Sequence, residues 1–540
     1  MPSLLELTER IHKGELVDPQ LLEVYQDSPN AAEKFLANHA GAMLDLRRSY
    51  THLLEALEAI DYADQKVLFQ FLSVLGFLGL TEQRTRPMLR FAAAAVTRRE
   101  IGLALEAFQS SVVADMANDG PFCREQETAT FVAQQYERAA AAIGWYPPGP
   151  CEWNNLQLRV GYVTSGLADD DASSRLAAAL ARHLDTKQFK LHVYSTEAAV
   201  RREKQVFTQG PFAGPSAKKG RETIDLLTRR KAQLWFAPLD TDLATAAKDL
   251  ATQAFKDQID VLIIDASPAD PAAAIVACWK PAKAKLHVAR RTAIHSGAFD
   301  TVAFFEAARL GQELAHWQHA DIPAHLLPDG VEPITPANDS TGPQRAAYGI
   351  PDSAIVLATV LSDTDNALLP AFADTLINLL RQHPTAVLLT AGDADTTPIK
   401  RKLEAAGLAK RAGFTGRRRD LPEFLKMADI YVTPFGRPAA FGTLAAMAAG
   451  KPVVSLPGDA GDPQSPAAMI GDEHVSPDIA AYAERADRLI RDPQLRTRTG
   501  DAMRQAVAER FPAERTVRVL EAMCRALASD TPAMPPAMAA

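Results

Sequence analysis

The sequence predicts an α/β protein: two doubly wound parallel sheets in tandem, preceded by an all-α segment. Three observations carry that expectation. Up to about residue 148 apolar residues recur at the three-to-four spacing of helices. From Leu156 to about 330, short strand-like runs alternate with helical stretches, and the same alternation restarts near 345. Strand–helix alternation means parallel strands joined by crossover helices, with both faces of each sheet covered.

In residues 1–148, helices are expected over LRRSYTHLLEALEAI, DQKVLFQFLSVLGFL, RREIGLALEAFQSSVVADM and EQETATFVAQQYERAAAAI. Asp61 and Asp64 follow the first, and Asp119, Gly120 and Pro121 break the chain after the third. No repeat period emerges, so paired helices are expected rather than a tetratricopeptide array. WYPPGPCEWNN (145–155) is a Pro- and Gly-rich break. The first lobe, 156–330, has strands in LQLRVGYVTS, FKLHVYST, AQLWFAP, IDVLIIDAS and AKLHVA, with helices SSRLAAALARHL, RETIDLLTRR and LATAAKDLATQAF between them. PDGVEPITPANDSTGP reads as a linker. The second lobe, 345–510, has strands in SAIVLATVL, TAVLLTAG, RAGFTG, ADIYVTPF and KPVVSLP, again separated by helices. A helix over 511–528 closes the chain, and the tail 529–540, SDTPAMPPAMAA, has no means of burying a core and is expected to be disordered. Open sheets of this kind bind ligands beyond the carboxyl ends of their strands, so two such edges facing each other make a two-substrate cleft.

Composition narrows the function classes. Of 540 residues, 47% are hydrophobic and 23% charged, which suits ordinary globular cores. A formal charge of -8 argues against nonspecific nucleic-acid binding. No apolar run reaches the ~18 residues of a membrane span. The start, MPSLLELTERIHKGEL, has early acidic residues and no long apolar core, so no secretory signal and a cytoplasmic location are expected. Cys123, Cys151, Cys278 and Cys524 form no CxxC pair, which points to free thiols rather than zinc. No His/Asp cluster announces another metal.

The stretch RAGFTGRRRDLPEFLKMADIYVTPFGRPAAFGTLAAMAAGKPVVSLPG (411–458) carries a family pattern. Gly413, Phe414, Gly416, Leu421, Pro422, Ala428, Asp429, Pro434, Phe441, Gly442, Met447, Gly450, Pro452 and Val453 fit a "GF.G...LP..L..AD....P" run followed by "GFG...EAMA.G.PVV". It resembles the donor half of GT-B-fold glycosyltransferases. In the first lobe, LRVGYVTSGLADDDASSRLAAAL resembles the first strand, loop and helix of the O-GlcNAc transferase family, which includes bacterial flagellin- and adhesin-modifying enzymes. IDVLIIDASPADPAAAIVACWKPAKAKLHVARRTAIHSGAFDTVAFF is similar to that family's "RPAP … G.PGTSG, D" passage, with Ala293–Gly297 at the loop and Asp300 at its acidic residue. The resemblance covers roughly 155–510. It implies two Rossmann-like lobes (GT-B) and metal-independent transfer of a sugar from a nucleotide-sugar, UDP-linked, to a protein such as flagellin or a surface adhesin. The donor is then a substrate, no cofactor is implied, and the N-terminal helices present the acceptor. A homo-oligomer is compatible with this reading.

The departures are concentrated at the donor site. Where the family has a histidine after the first strand, Asp170 or Asp171 stands. The family's lysine has no counterpart in SDTDNALLP (362–370). Its "HTTG" is AAFGT here, and two glutamates of related transferases become Ala440 (or Ala439) and Ala445. These replacements keep a second class open: a non-catalytic pseudo-glycosyltransferase acting as adaptor or chaperone. A sugar-nucleotide epimerase of the same fold is a third, though it needs carboxylates that the donor helix lacks.

Local chemistry names the candidate residues. Phe441, Gly442 and Thr443 open a small helix whose free N–H groups can hold phosphate, and they serve equally as a plain strand-to-helix turn. Gly416, Arg417 and Arg418, with Arg419, follow a strand end, where arginine suits bidentate phosphate contact and also a solvated turn. Ser362 and Thr364 offer hydroxyls beside Asp363, and Gly392 and Asp393 close the next strand. In the first lobe Thr164, Ser165 and Gly166 form the turn before three carboxylates, of which Asp170 and Asp171 are candidate general bases. His295 is a second candidate base or diphosphate partner, with Arg290 and Arg291 adding charge nearby.

Overall fold

The structure, a computed structural model, describes residues 82–117, 126–149, 156–168, 172–198, 220–289, 293–305, 321–328, 330–332, 345–361, 369–392, 396–416, 418, 421–435, 440–458 and 466–529, with scattered residues between 4 and 45. The helices expected over 46–60 and 64–78 lie outside them.

The described helices of the first segment are α1 (Gln20–Gln26), α2 (Glu82–Thr97), α3 (Ile101–Ala117) and α4 (Gln126–Ile143). Helix α2 is not foreseen from the pattern, because Pro87 and a charged first half obscure its apolar second half. Helix α3 starts at Ile101 and not at Arg98, since Arg99 takes a left-handed φ of 63° and ends the preceding helix. Leu22 of α1 sits in a small separate cluster with Leu7, Val17 and Leu44, whereas α2–α4 do not enclose a core of their own. Phe91, Phe108, Val132 and Tyr136 belong to the same buried cluster as Leu250, Ile264 and Ile275 of the first lobe. Trp145 stacks on Trp279 with ring centroids 5.8 Å apart. The Trp145 indole N–H donates to Thr252 Oγ1 (3.0 Å) and that of Trp279 to the Ala140 carbonyl (3.2 Å).

The first lobe runs β1 (Leu158–Thr164), α5 (Ala172–His183), β2 (Phe189–Ser195), α6 (Arg221–Arg229), β3 (Gln233–Phe236), α7 (Leu243–Lys256), β4 (Val261–Asp265), α8 (Pro271–Cys278), β5 (Ala284–Ala289), β6 (Thr301–Phe304) and β7 (Ala324–Leu326). The strand order is β3-β2-β1-β4-β5-β6-β7, parallel throughout. All five expected strands form, and β4, VLIID, is buried along its length as a central parallel strand must be. Strands β6 and β7 are too short to announce themselves in sequence. Helices α7 and α8 start where Asp242 and Asp270 accept from the N–H groups of Thr245 (2.7 Å) and Ala273 (3.0 Å).

The second lobe runs β8 (Ile355–Leu361), α9 (Leu369–Gln382), β9 (Ala386–Gly392), α10 (Thr397–Ala405), β10 (Ala412–Phe414), α11 (Leu421–Lys426), β11 (Ile430–Val432), α12 (Ala440–Ala448) and β12 (Val453–Val454). Its order is β10-β9-β8-β11-β12, again parallel. Helices α13 (Pro466–Ile470), α14 (Ile479–Arg491), α15 (Pro493–Arg510) and α16 (Ala513–Ala528) follow.

Helix α16 leaves the second lobe and packs on the first. Val517, Leu520 and Met523 share a core with Leu176 and Leu180 of α5. Val331 bridges to Pro512, and Thr516 Oγ1 donates to the Pro328 carbonyl (2.7 Å), so the start of the expected linker is anchored. The buried Glu521 carboxylate accepts from the Asp185 N–H (2.7 Å) and pairs with Arg518 (3.0 Å) and Arg525 (3.3 Å).

Because α2–α4 and the first lobe share one core, they are expected to unfold together. Replacing Trp279 by Ala removes the ring between them and should cost about 3–5 kcal/mol. Denaturant unfolding followed by tryptophan fluorescence and by circular dichroism should show both signals shifting in one transition.

Candidate functional site

In each sheet the chain order reverses once, between β1 and β4 in the first and between β8 and β11 in the second. These switch points open crevices at the carboxyl ends of the strands, where open α/β sheets take ligands.

At the second switch point the small helix sits directly on the two strands. A Cβ on Gly442 would lie 2.7 Å from the Tyr431 hydroxyl of β11 and 3.1 Å from Val360 Cβ of β8. Only glycine lets the first turn of α12 come that close, so its N–H groups and positive dipole end are held over the crevice. Thr443 is buried in the same turn. Beneath it, Thr433 Oγ1 and Ser455 Oγ are 2.7 Å apart, and the Tyr482 hydroxyl donates to the Thr433 carbonyl (2.8 Å). Helix α12, AFGTLAAMA, carries no ionisable side chain. Lys451 lies beyond its far end, donates to the Lys426 carbonyl (3.1 Å), and is pushed down to about 8 by burial.

The neighbouring edge is shaped by backbone. Gly392, at φ 119°, brings the ends of β8 and β9 so close that a Cβ would fall 1.8 Å from the Leu361 carbonyl oxygen. Its N–H donates to the Gly416 carbonyl (3.0 Å), placing Gly416 at this edge. Arg418 turns to Tyr348: it donates to the phenol, and its guanidinium lies 5.7 Å from the ring centroid. Ser362, Asp363, Thr364, Asp393, Arg417 and Arg419 lie outside the described residues.

At the first switch point Thr164 and Asp265 are register partners at the ends of β1 and β4. The Tyr162 hydroxyl bonds the Asp265 carboxylate and is 2.8 Å from the Ser173 carbonyl, fixing the start of α5 over the crevice. Asp265 is 1% exposed. The loop after β4 is held from the N-terminal helices: the Tyr136 hydroxyl donates to Pro268 (2.7 Å) and Gln109 Nε2 to Ala269 (3.5 Å). Thr196 Oγ1, at the end of β2, donates to Asp270 (2.5 Å). Asp169, Asp170, Asp171, Arg290 and Arg291 are outside the described residues.

His295 differs from the cleft-facing residue expected. The loop after β5 descends toward the start of β6, and the Ile294 N–H donates to His287 Nε2 (2.9 Å) in the middle of β5. Ser296 Oγ donates to the Ala277 carbonyl (3.4 Å) near the end of α8. His295, between them and 7% exposed, is therefore below the carboxyl edge rather than on it. Asp300 belongs to the opposite, amino edge, where it accepts from the Lys285 N–H (2.8 Å).

The two lobes meet at these switch points. The Arg175 guanidinium of α5 lies 3.6 Å from the centroid of the Phe441 ring, in the first turn of α12. Neither Arg175 nor Asp265 stands out in the sequence. Arg175 reads as an ordinary helix-surface arginine in SSRLAAAL, and Asp265 as a strand end in IIDAS.

His287 supplies a pH test of this frame. Its Nδ1–H donates to the Ile264 carbonyl (2.9 Å), Nε2 accepts from Ile294, and Phe299 stacks at 5.0 Å. Burial pushes its pKa down to about 4 from the ordinary 6.5, only partly opposed by the Ile264 carbonyl and Asp265. Between pH 6.5 and 4 the unfolded chain takes up this proton and the folded chain does not, so stability falls as pH falls through that window. The loss is on the order of 3 kcal/mol. Urea unfolding between pH 7 and 4.5 should show it, with a shallower slope in His287→Gln.

Residues 358–492 match the family described as "Glycosyl transferases group 1". No curated protein matches the sequence. A Thermobaculum terrenum O-GlcNAc transferase mutant is similar in structure, with a TM-score of 0.51 at 17% identity, covering 98% of this chain and 99% of that one. A Rickettsia africae glycosyltransferase has a TM-score of 0.50 at 14% identity, over 70% of this chain and 100% of that one. Residues 358–492 thus carry the group 1 glycosyl transferase pattern, on a chain that has the two-lobed GT-B fold.

Proposed function

We propose that this chain transfers a glycosyl group from a UDP-linked sugar to a protein acceptor, without a metal ion. The observation that carries this reading is the seating of the first turn of α12 on the β8/β11 switch point, facing α5 from the first lobe. The diphosphate is received at that turn by N–H groups and helix dipole. Gly416, Arg417, Arg418, Ser362 and Thr364 are the side-chain and loop candidates around it. The acceptor oxygen or nitrogen bonds to the anomeric carbon as the bond from that carbon to the diphosphate oxygen breaks. UDP leaves with the electron pair, and the acceptor's proton passes to a carboxylate. Asp170 and Asp171, which precede α5 in the chain, are the candidates. The N-terminal helices bind the acceptor, a flagellin or surface protein, in the cytoplasm.

A second reading is favoured by one observation: α12 has no charged side chain to replace the groups that usually hold the donor. On that reading the chain is a pseudo-glycosyltransferase that serves as adaptor or chaperone. Calorimetric titration with UDP separates the two. Micromolar binding is expected for the enzyme, and no binding to UDP or UDP-sugars favours the adaptor. Gly442→Val, which drives a side chain into Tyr431 and Val360, should abolish UDP binding at a stability cost of about 1–3 kcal/mol.

A further inference from the structure

We infer that the donor site is composite: Arg175, from the first lobe, supplies positive charge for the diphosphate at the first turn of α12, a helix that has no charged side chain of its own. The inference rests on the glycosyl-transfer reading above and adds one residue to it. Among the described residues of α12 there is no cation, and Lys451 lies beyond the helix's far end with its amine turned to a carbonyl. Arg418 is engaged with Tyr348. Arg175 instead reaches across the cleft to the first turn of α12, its guanidinium 3.6 Å from the Phe441 ring centroid. Phe441 is the second residue of that helix, so the charge is brought to the side chain of its first turn.

The stacking geometry suits this role. A guanidinium lying on an aromatic face can still present N–H groups at its edge, where a phosphate takes two of them at once. The ring fixes the plane of the cation before a ligand arrives. The base of Arg175 is fixed as well, because the start of α5 is tied to β1 by the Tyr162 hydroxyl at Ser173 and by the Ala168 N–H donating to Ser174 Oγ (2.9 Å). Binding of a nucleoside diphosphate and apposition of the two lobes then become one event, since one side chain belongs to both.

The test uses the full chain and two probes, UDP and uridine, titrated into wild type, Arg175→Ala, Arg175→Lys and Phe441→Leu. Thermal unfolding of each variant reports its fold. Arg175→Ala is expected to weaken UDP by about tenfold and leave uridine unchanged. Arg175→Lys should recover part of the loss, because it keeps charge without the planar fork, and Phe441→Leu should lose less than Arg175→Ala. The UDP difference should shrink as salt is raised. Equal UDP affinity in wild type and Arg175→Ala, or an equal loss of UDP and uridine, overturns the assignment and leaves the donor reading standing. Wild type binding neither probe overturns both. If Arg175→Ala does not fold, the comparison of Arg175→Lys and Phe441→Leu decides by the same criteria.

Discussion

The geometry of the cleft depends on the return of α16 to the first lobe. A parallel sheet binds at one edge only, so two sheets make one site only if those edges are turned toward each other. Pro512 bridging Val331, Thr516 bonded to Pro328 and the Glu521 carboxylate on the Asp185 N–H fix where the second lobe's last helix lands. Glu521 is buried, and its charge is compensated by Arg518 and Arg525 as well as by the backbone N–H, which makes its burial tolerable. The Arg175–Phe441 contact across the cleft is set by that landing.

The N-terminal helices enter the same design from the other side. They share a core with the first sheet and also touch its functional edge, through Tyr136 and Gln109 on the loop that follows β4. That loop leads into Asp270, which caps α8 and receives Thr196 from β2. Buried hydrogen bonds thus connect these helices to the carboxyl ends of β2 and β4.

Some motif residues are conspicuous in sequence for reasons of fold rather than chemistry. Asp429, in the "AD" of the pattern, accepts from the Val356 N–H (2.7 Å) and pairs with Arg345 (2.9 Å), joining the amino ends of β8 and β11, far from their ligand-binding edge. Gly442 belongs to the site, but as a spacer that lets helix and strands meet. His295 illustrates the opposite error: sequence places it after a strand, and the bond from Ile294 to His287 draws the loop down the sheet. The partners of His287, Ile294 seven residues on and Ile264 on β4, leave no local signal in the sequence.

The sequence by itself determined the two alternating α/β lobes, all ten of their expected strands and the turn that opens α12. Those features are written in local periodicity, glycine placement and capping, which act over a few residues. The strands β6 and β7 and helix α2 escaped it, because TVAF and AHL carry no clear alternation and Pro87 with a charged first half obscures α2. Only the tertiary structure decided that the N-terminal helices share the first lobe's core, that α16 crosses back, and that Arg175 meets Phe441. Each of these joins residues more than a hundred positions apart, and such pairs are selected by the burial and charge compensation of the whole fold, to which neither partner's neighbours in sequence contribute.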